Sequence, residues 1–285
     1  MPEPATEMTQ PLQLENCYRE LGLRAQPFSI TPDTEFFYPG SQHATALSHL
    51  RYGIASGAFS LLTGEIGLGK TLLCRHLLRN PPGKIRTAYI FNPVQGYEDM
   101  LATIHHDLTG EPLERLTAGQ YQKAIYDALL QMAEGGECGA VVVDEAHRLS
   151  PELMEGLRLL SNLDTEKKKL LSLLLVGQPE LDRTLALRSM RPLSQRISVR
   201  YRLKPLDRSE TAYYVRHRID VVRAEGEFDF TNAALWWVHR ASKGFPRRIN
   251  QICERAALAA FAAGRMRVSA PMIWQAAREV RKGYR

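Results

Sequence analysis

Leu61-Leu62-Thr63-Gly64-Glu65-Ile66-Gly67-Leu68-Gly69-Lys70-Thr71 asks the backbone for something that only a phosphate-binding loop needs. From Gly64 to Thr71 it reads G-x-x-x-x-G-K-T without a mismatch. Gly64, Gly67 and Gly69 have no Cβ, so the chain can curl tightly and turn successive N–H groups inward around a polyphosphate. Lys70 would reach the β- and γ-phosphate oxygens, and the Thr71 hydroxyl would ligate Mg²⁺. The setting agrees. Residues 58–62 form a short apolar strand leading in, residues 72–78 have helical spacing leading out, and a helix N-terminus adds partial positive charge where the phosphates would lie. Gly64, Glu65, Ile66, Gly67, Leu68, Gly69, Lys70, Thr71 and Leu72 are therefore expected to line a site for a nucleotide's phosphates. A plain glycine-rich turn between strand and helix is the bland alternative, and a complete motif in this setting argues against it.

The second half of such a site stands 74 residues beyond Lys70. Ala140-Val141-Val142-Val143-Asp144-Glu145 is an apolar, mostly β-branched run that ends in two carboxylates, as a buried parallel strand meeting a phosphate site would. Asp144 is expected to hold a water in the Mg²⁺ shell, and Glu145 to polarise the attacking water. Between these motifs strands and helices alternate. Arg86–Phe91 reads as a second strand, and Gly96–Leu108 and Ala118–Ala133 read as helices. Pro151–Leu163 is a further expected helix, Leu170–Val176 a core strand, Arg183–Leu193 a helix, and Gln195–Leu203 a last strand with Arg196 near its start. Gln178, just past the end of the core strand, is the polar side chain expected to touch the γ-phosphate or the attacking water.

Composition excludes several classes. The 285 residues are 44% hydrophobic and 24% charged, ordinary for a soluble globular protein. No apolar run approaches the ~20 residues of a membrane span, and Met1–Gln10 is polar rather than a secretory leader, so the cytosol is the default compartment. Cys17, Cys74, Cys138 and Cys253 are widely spaced, which suggests neither a zinc site nor a disulfide framework. His105 and His106 point about 100° apart on a helix and so cannot share a metal on one face. Residues 1–182 hold 15 Lys+Arg against 23 Asp+Glu, whereas residues 183–285 hold 22 against 8. Such asymmetry suggests an anionic partner, double-stranded DNA included, or else solvated arginine-rich helix faces. The Lys167-Lys168-Lys169 turn adds to the candidate track.

Residues 1–16 are too polar and proline-rich to bury a core and read as disordered. From Cys17 an arm with prolines and adjacent aromatics, Gln26-Pro27-Phe28-Ser29-Ile30-Thr31-Pro32-Asp33 and Phe36-Phe37-Tyr38-Pro39, leads into the sheet domain, which closes at Pro205. The expected division is 17–205 for the nucleotide-binding α/β domain with its arm and 206–285 for a small helical domain. The latter reads as helices Ser209–Ala224, Asn232–Ser242, Pro246–Ala263 and Pro271–Lys282, capped by Ser209, Thr231 and Ser269. Pro246 starts one of them and puts Arg247 and Arg248 in its first turn. Cations there are unfavourable by roughly 0.3–1 kcal/mol, so an anionic partner is expected.

The two phosphate-site motifs, the polar strand end, the arginine before the last strand and a helical lid with G-x-P-R together resemble the AAA+ ATPases. More narrowly, P-F-S-I-T-P-D, G-E-I-G-L-G-K-T-L-L, V-V-V-D-E-A-H, L-V-G-Q-P-E-L, L-S-Q-R-I, L-K-P-L and G-F-P-R-R-I-N resemble the ExeA/GspA family of secretion ATPases, over about residues 18–282. The resemblance implies a P-loop three-layer sandwich with a parallel sheet plus an all-helical lid. It implies ATP and Mg²⁺ as ligands, with Lys70 and Thr71 as Walker A, Asp144 and Glu145 as Walker B, Gln178 as sensor 1 and Arg247 as sensor 2. It implies Arg196, or else Arg191, as an arginine finger acting on a neighbouring subunit, hence a homo-oligomeric ring or filament. Longer members continue into a membrane span and a peptidoglycan-binding domain. This sequence stops at Arg285, so the shorter MshM-type pilus-biogenesis members are the expected kin. Pilus or secretion assembly proteins, some membrane-associated, are then the expected partners, with the protein in the cytoplasm or peripheral to the inner membrane. Transposition-regulating ATPases of the TniB and TnsC kind share this core and would make DNA the partner instead.

Overall fold

The computed structural model describes residues 16–91, 93, 96–111, 115–166 and 168–282. The expected disorder of residues 1–16 lies outside them except at Asn16, which is helical together with residues 17–20; Lys167 of the lysine turn also lies outside them. The chain divides into two compact units, one formed by residues 41–204 and the other by residues up to 40 together with those from 205 onward.

The first unit is an α/β sandwich. Its strands are β1 (Phe59–Thr63), β2 (Ile85–Ile90), β3 (Cys138–Val143), β4 (Leu171–Gly177) and β5 (Ile197–Arg202). They pair in the order β2-β3-β4-β1-β5, all parallel. Val141, Val143, Leu171, Leu173 and Leu175 enter one apolar cluster with the helices Tyr97–Thr109, Ala118–Glu134 and Pro151–Leu160. Ala140, Val142, Leu174 and Val176, one residue out of step, are just as buried. Because successive side chains point to opposite faces, both faces must be covered, and the helices Ser41–Ala55 and Lys70–Arg79 supply the second layer. β4 thus lies between β3 and β1, which places three strand ends side by side: Thr63, Val143 and Gly177.

The expected helix over Arg183–Leu193 is broken instead. Pro179–Leu185 is one helix, Arg188–Met190 a 3₁₀ turn, and Arg191–Arg196 a second short helix with Pro192 in its first turn. Pro192 has no N–H to give and its ring would clash with a preceding carbonyl, so the chain stops one helix and starts another. Arg196 consequently ends a helix, whereas the sequence reading placed it at the start of a strand, and β5 begins one residue later.

The second unit is built on the helices Arg208–Val222, Asn232–Ser242, Pro246–Ala262 and Ala270–Lys282. Three expectations are corrected here. The lid is not wholly helical, since Asp229–Phe230 and Arg267–Val268 form a two-stranded parallel pair, too short to stand out in the sequence pattern. The arm does not go with the sheet unit: Tyr18, Leu21, Leu23, Phe28 and Phe36 are buried in the same apolar cluster as Val215, Ile219, Phe228, Phe230 and Ile252. Arg218, itself buried, donates from Nε to the Pro27 carbonyl and from a terminal nitrogen to the Ser29 carbonyl at 3.1 Å, and it stacks 4.3 Å from the Phe36 ring centroid. These contacts satisfy the arm's backbone carbonyls while its aromatics complete the core. Asp207, not Ser209, caps the first of these helices: its carboxylate accepts from the Glu210 N–H at 2.8 Å in a capping box. Thr231 caps the second, as expected.

Candidate active site

At the end of β1 the loop 64–69 turns into the helix Lys70–Arg79. Gly67 (φ +83°) and Gly69 (φ +89°) are left-handed, a backbone that residues with a Cβ rarely adopt. Leu68 is buried, and its carbonyl accepts from His43 Nε2 at 3.1 Å, which pins the loop from behind; Glu65 and Ile66 stay exposed. Gly69 provides no side-chain cap, so the first-turn N–H groups of Lys70, Thr71 and Leu72 have no intrahelical acceptor. This leaves donors for an anion.

The Lys70 ammonium donates to the carbonyls of Gly64 at 2.7 Å and Glu65 at 3.1 Å. Those loop oxygens stand where phosphate oxygens would compete for the same cation. Burial pulls the Lys70 pKa down, while the carboxylates of Glu145, Asp144 and Glu65 push it back up.

β3 delivers Asp144, 1% exposed, to the same place. Its Oδ2 accepts from the Thr71 hydroxyl at 2.8 Å and from the Tyr89 hydroxyl at 2.9 Å, and its Oδ1 accepts from the Glu145 N–H at 2.9 Å. The two expected motifs are therefore in direct contact. A hydroxyl and a carboxylate converging in this way are hard oxygen donors, the set a small divalent cation such as Mg²⁺ takes. Glu145 follows in a left-handed conformation (φ +53°), uncommon for a residue with a side chain and found at sites where the surroundings impose it. Gln178, past the end of β4, donates from Nε2 to Glu145 Oε2 at 3.4 Å and approaches His147 Nε2 at 3.1 Å. Gly177 makes that approach feasible, because a Cβ there would stand 2.8 Å from Leu181 Cδ2 and 3.3 Å from the His147 backbone nitrogen.

The structure thus gathers Lys70, Thr71, Asp144, Glu145 and Gln178, and adds two residues to which the sequence reading gave no role. Tyr89 reaches Asp144 from the neighbouring strand, where it pairs in register with Val142. His147 lies two residues past Glu145 in the quoted V-V-V-D-E-A-H; the spacing was visible, its direction was not. Arg196 stands elsewhere. Ile197 pairs with Phe59, the first residue of β1, so Arg196 lies at the edge of the sheet opposite the loop that follows Thr63. There it donates to the Ser161 carbonyl at 3.4 Å and lines a cavity of about 470 Å³ with Lys169, Ser198 and Tyr52. Arg191 is exposed at the start of the same short helix, and Arg247 is exposed in the first turn of Pro246–Ala262 in the other unit.

Residues 54–185 match the family model described as AAA domain. The chain is 43% identical over 260 residues, 91% of its length, to General secretion pathway protein A of Aeromonas hydrophila, and it spans about half (47%) of that relative. Among solved structures it is similar in fold to Cdc6p from Pyrobaculum aerophilum, with a TM-score of 0.68, 18% identity, and 89% and 70% of the two chains covered. The RuvB Holliday junction branch migration motor of Thermotoga maritima is also similar, with a TM-score of 0.56, 18% identity, and 83% and 68% covered.

Proposed function

We propose, from the premise that this chain is an AAA ATPase of the ExeA/GspA family, that it works as an oligomer whose ATP turnover drives or regulates assembly of a type II secretion or MSHA-type pilus machine. The observation that carries the nucleotide chemistry is the 2.8 Å hydrogen bond from Thr71, in the phosphate loop, to Asp144, at the end of β3. Residues far apart in sequence meet where a polyphosphate and its counter-ion would be held.

In this reading the loop 64–69 and the first-turn N–H groups up to Leu72 cradle the phosphates, and Lys70 exchanges its loop carbonyls for phosphate oxygens. Thr71 would hold Mg²⁺ directly and Asp144 through a water; when bound, the ion neutralises charge on the phosphate oxygens. Glu145 takes the proton of the attacking water, and Gln178 steadies it. Arg196, at the far edge of its own sheet, serves the site of a neighbouring copy, with Arg191 as the other candidate, and Arg247 completes the nucleotide contacts from the helical unit. A finger acting in trans is the reason to expect a ring or filament. The link to secretion rests on the relative's name, and among the described residues no helix is long and apolar enough to cross a membrane. A place in the cytoplasm or at the inner-membrane surface fits that reading.

The test separates binding from turnover. Lys70→Ala should lose ATP binding, whereas Glu145→Gln should bind ATP and lose hydrolysis by about 10²–10⁴-fold. Unchanged affinity in Lys70→Ala would overturn the phosphate-loop assignment. Arg196→Ala should bind ATP and turn it over about 10³-fold more slowly. Mixing it with Lys70→Ala subunits should restore partial turnover, because one orientation of mixed interface has both groups intact. No rescue in a verified mixed oligomer would assign Arg196 a role in its own subunit.

The 22 Lys+Arg against 8 Asp+Glu beyond residue 182 favour a second reading, a DNA-binding ATPase of the TniB and TnsC kind. It requires duplex binding with little sequence preference that weakens with salt, at a slope of about −0.9 per phosphate neutralised. Absence of binding at low salt with ATP and Mg²⁺ would remove it.

A further inference from the structure

Glu145, Gln178 and His147 form a closed triangle whose hydrogen positions follow from chemistry. A carboxylate can only accept, so the Gln178 atom 3.4 Å from Glu145 Oε2 is its NH₂ group. The same nitrogen stands 3.1 Å from His147 Nε2, so that ring nitrogen must accept. The imidazole proton is then on Nδ1. This atom is buried and has no hydrogen-bond partner, yet it lies 3.6 Å from the same Glu145 Oε2. A donor 3.6 Å from a carboxylate oxygen stands just beyond hydrogen-bonding distance of it. The backbone at Glu145 is left-handed (φ +53°), and Gly177 leaves open the space in which a Cβ would stand 3.3 Å from the His147 backbone nitrogen. A donor left unpaired in a buried place costs free energy, so the arrangement favours the Glu145 rotamer that satisfies it.

We propose that His147 is the positioning residue for the Glu145 carboxylate: its Nδ1–H, with the tautomer set by Gln178, holds the carboxylate in the orientation from which it takes the proton of the attacking water. The proposal rests on the reading of Glu145 as that base. It gives His147 no contact with nucleotide, so it concerns turnover and leaves binding unaffected. Asn places an amide N–H close to where Nδ1 stands, and Gln places its amide close to where Nε2 stands, so the two substitutions separate the two ring nitrogens.

His147→Asn, His147→Gln and His147→Ala would be compared with Glu145→Gln for kcat, KM for ATP, affinity for a fluorescent ATP analogue and thermal melting. The expected result is kcat within about threefold of the parent for His147→Asn and lower by about tenfold or more for the Gln and Ala variants, the scale of one lost hydrogen bond. KM and analogue affinity should stay within twofold throughout. The proposal fails if all three His147 variants turn over like the parent, if Asn loses as much as Ala, or if kcat falls only together with analogue affinity or melting temperature. Full activity in Glu145→Gln would overturn the base assignment itself. A dead Glu145→Gln beside unaffected His147 variants would leave that assignment standing and remove only His147.

Discussion

Asp144 shows at the scale of one residue how the site is tuned. It accepts from Thr71, Tyr89 and the Glu145 N–H while almost fully buried, so its orientation is over-determined before any ligand arrives. Burial, and then the neighbouring Asp144 charge, push the Tyr89 phenol well above its usual range, so Tyr89 stays a donor at every pH at which the protein would be assayed. Tyr89→Phe deletes that donor and little else. The concentration of Mg²⁺ that half-saturates ATP turnover should then rise about tenfold. A Mg²⁺ titration that superimposes on the parent would show that Thr71 and the backbone suffice.

Elements succeed or fail by how closely they meet. Gly177 ends β4 where a Cβ would press Leu181 and the His147 backbone, at 2.8 and 3.3 Å, so Gly177→Ala should cost about 1–3 kcal/mol in a denaturant melt and reduce kcat as His147 moves. Loss of stability with unchanged kcat would separate the packing from the chemistry. In the helical unit the Asp207 capping box starts Arg208–Val222, and Asp207→Ala should cost about 1 kcal/mol. Cap replacements at Ser209 should cost less, since Ser209 already lies inside that helix.

Across the whole molecule the arm is the largest departure from a reading by eye. Phe28 is 1% exposed in the core of the helical unit, and Phe28→Ala should destabilise by about 3–5 kcal/mol by chemical denaturation. A near-neutral effect would mean that the arm is dispensable to that core. Glu254 lies in the same unit and takes a hydrogen bond from the Tyr18 hydroxyl of the arm. Burial raises its pKa from 4.5, opposed by the hydrogen bonds of Tyr18 and Gln26 and by the Arg218 charge. A carboxyl raised in the fold contributes stability that is fully present below its unfolded pKa and lost as pH climbs through the folded value. Glu254→Gln should therefore melt higher than the parent at neutral pH, with the gap closing on acidification toward 4.5. A gap that does not change with pH would assign the effect to packing.

What the sequence determined by itself is what contiguous residues can write. G-x-x-x-x-G-K-T demands a local backbone that only glycines supply, and V-V-V-D-E announces a buried strand with carboxylates at its end. Both are legible because backbone conformation and side-chain period act over a few residues. Asn232–Ser242 was legible for the same reason, with Thr231 as its cap. Only the tertiary structure decided which surfaces the apolar arm would complete. Arg218 meets the Pro27 carbonyl across 191 residues of chain, and nothing in a run of Pro and Phe says which core it enters. It likewise decided that Tyr89 and His147 join the site, through strand register and the close approach at Gly177, and that Arg196 stands at the far edge of the sheet. The physical reason is that burial and hydrogen bonding between distant segments depend on which partners the fold brings within a few ångströms, a choice made by the summed packing of the chain rather than by any one stretch of it.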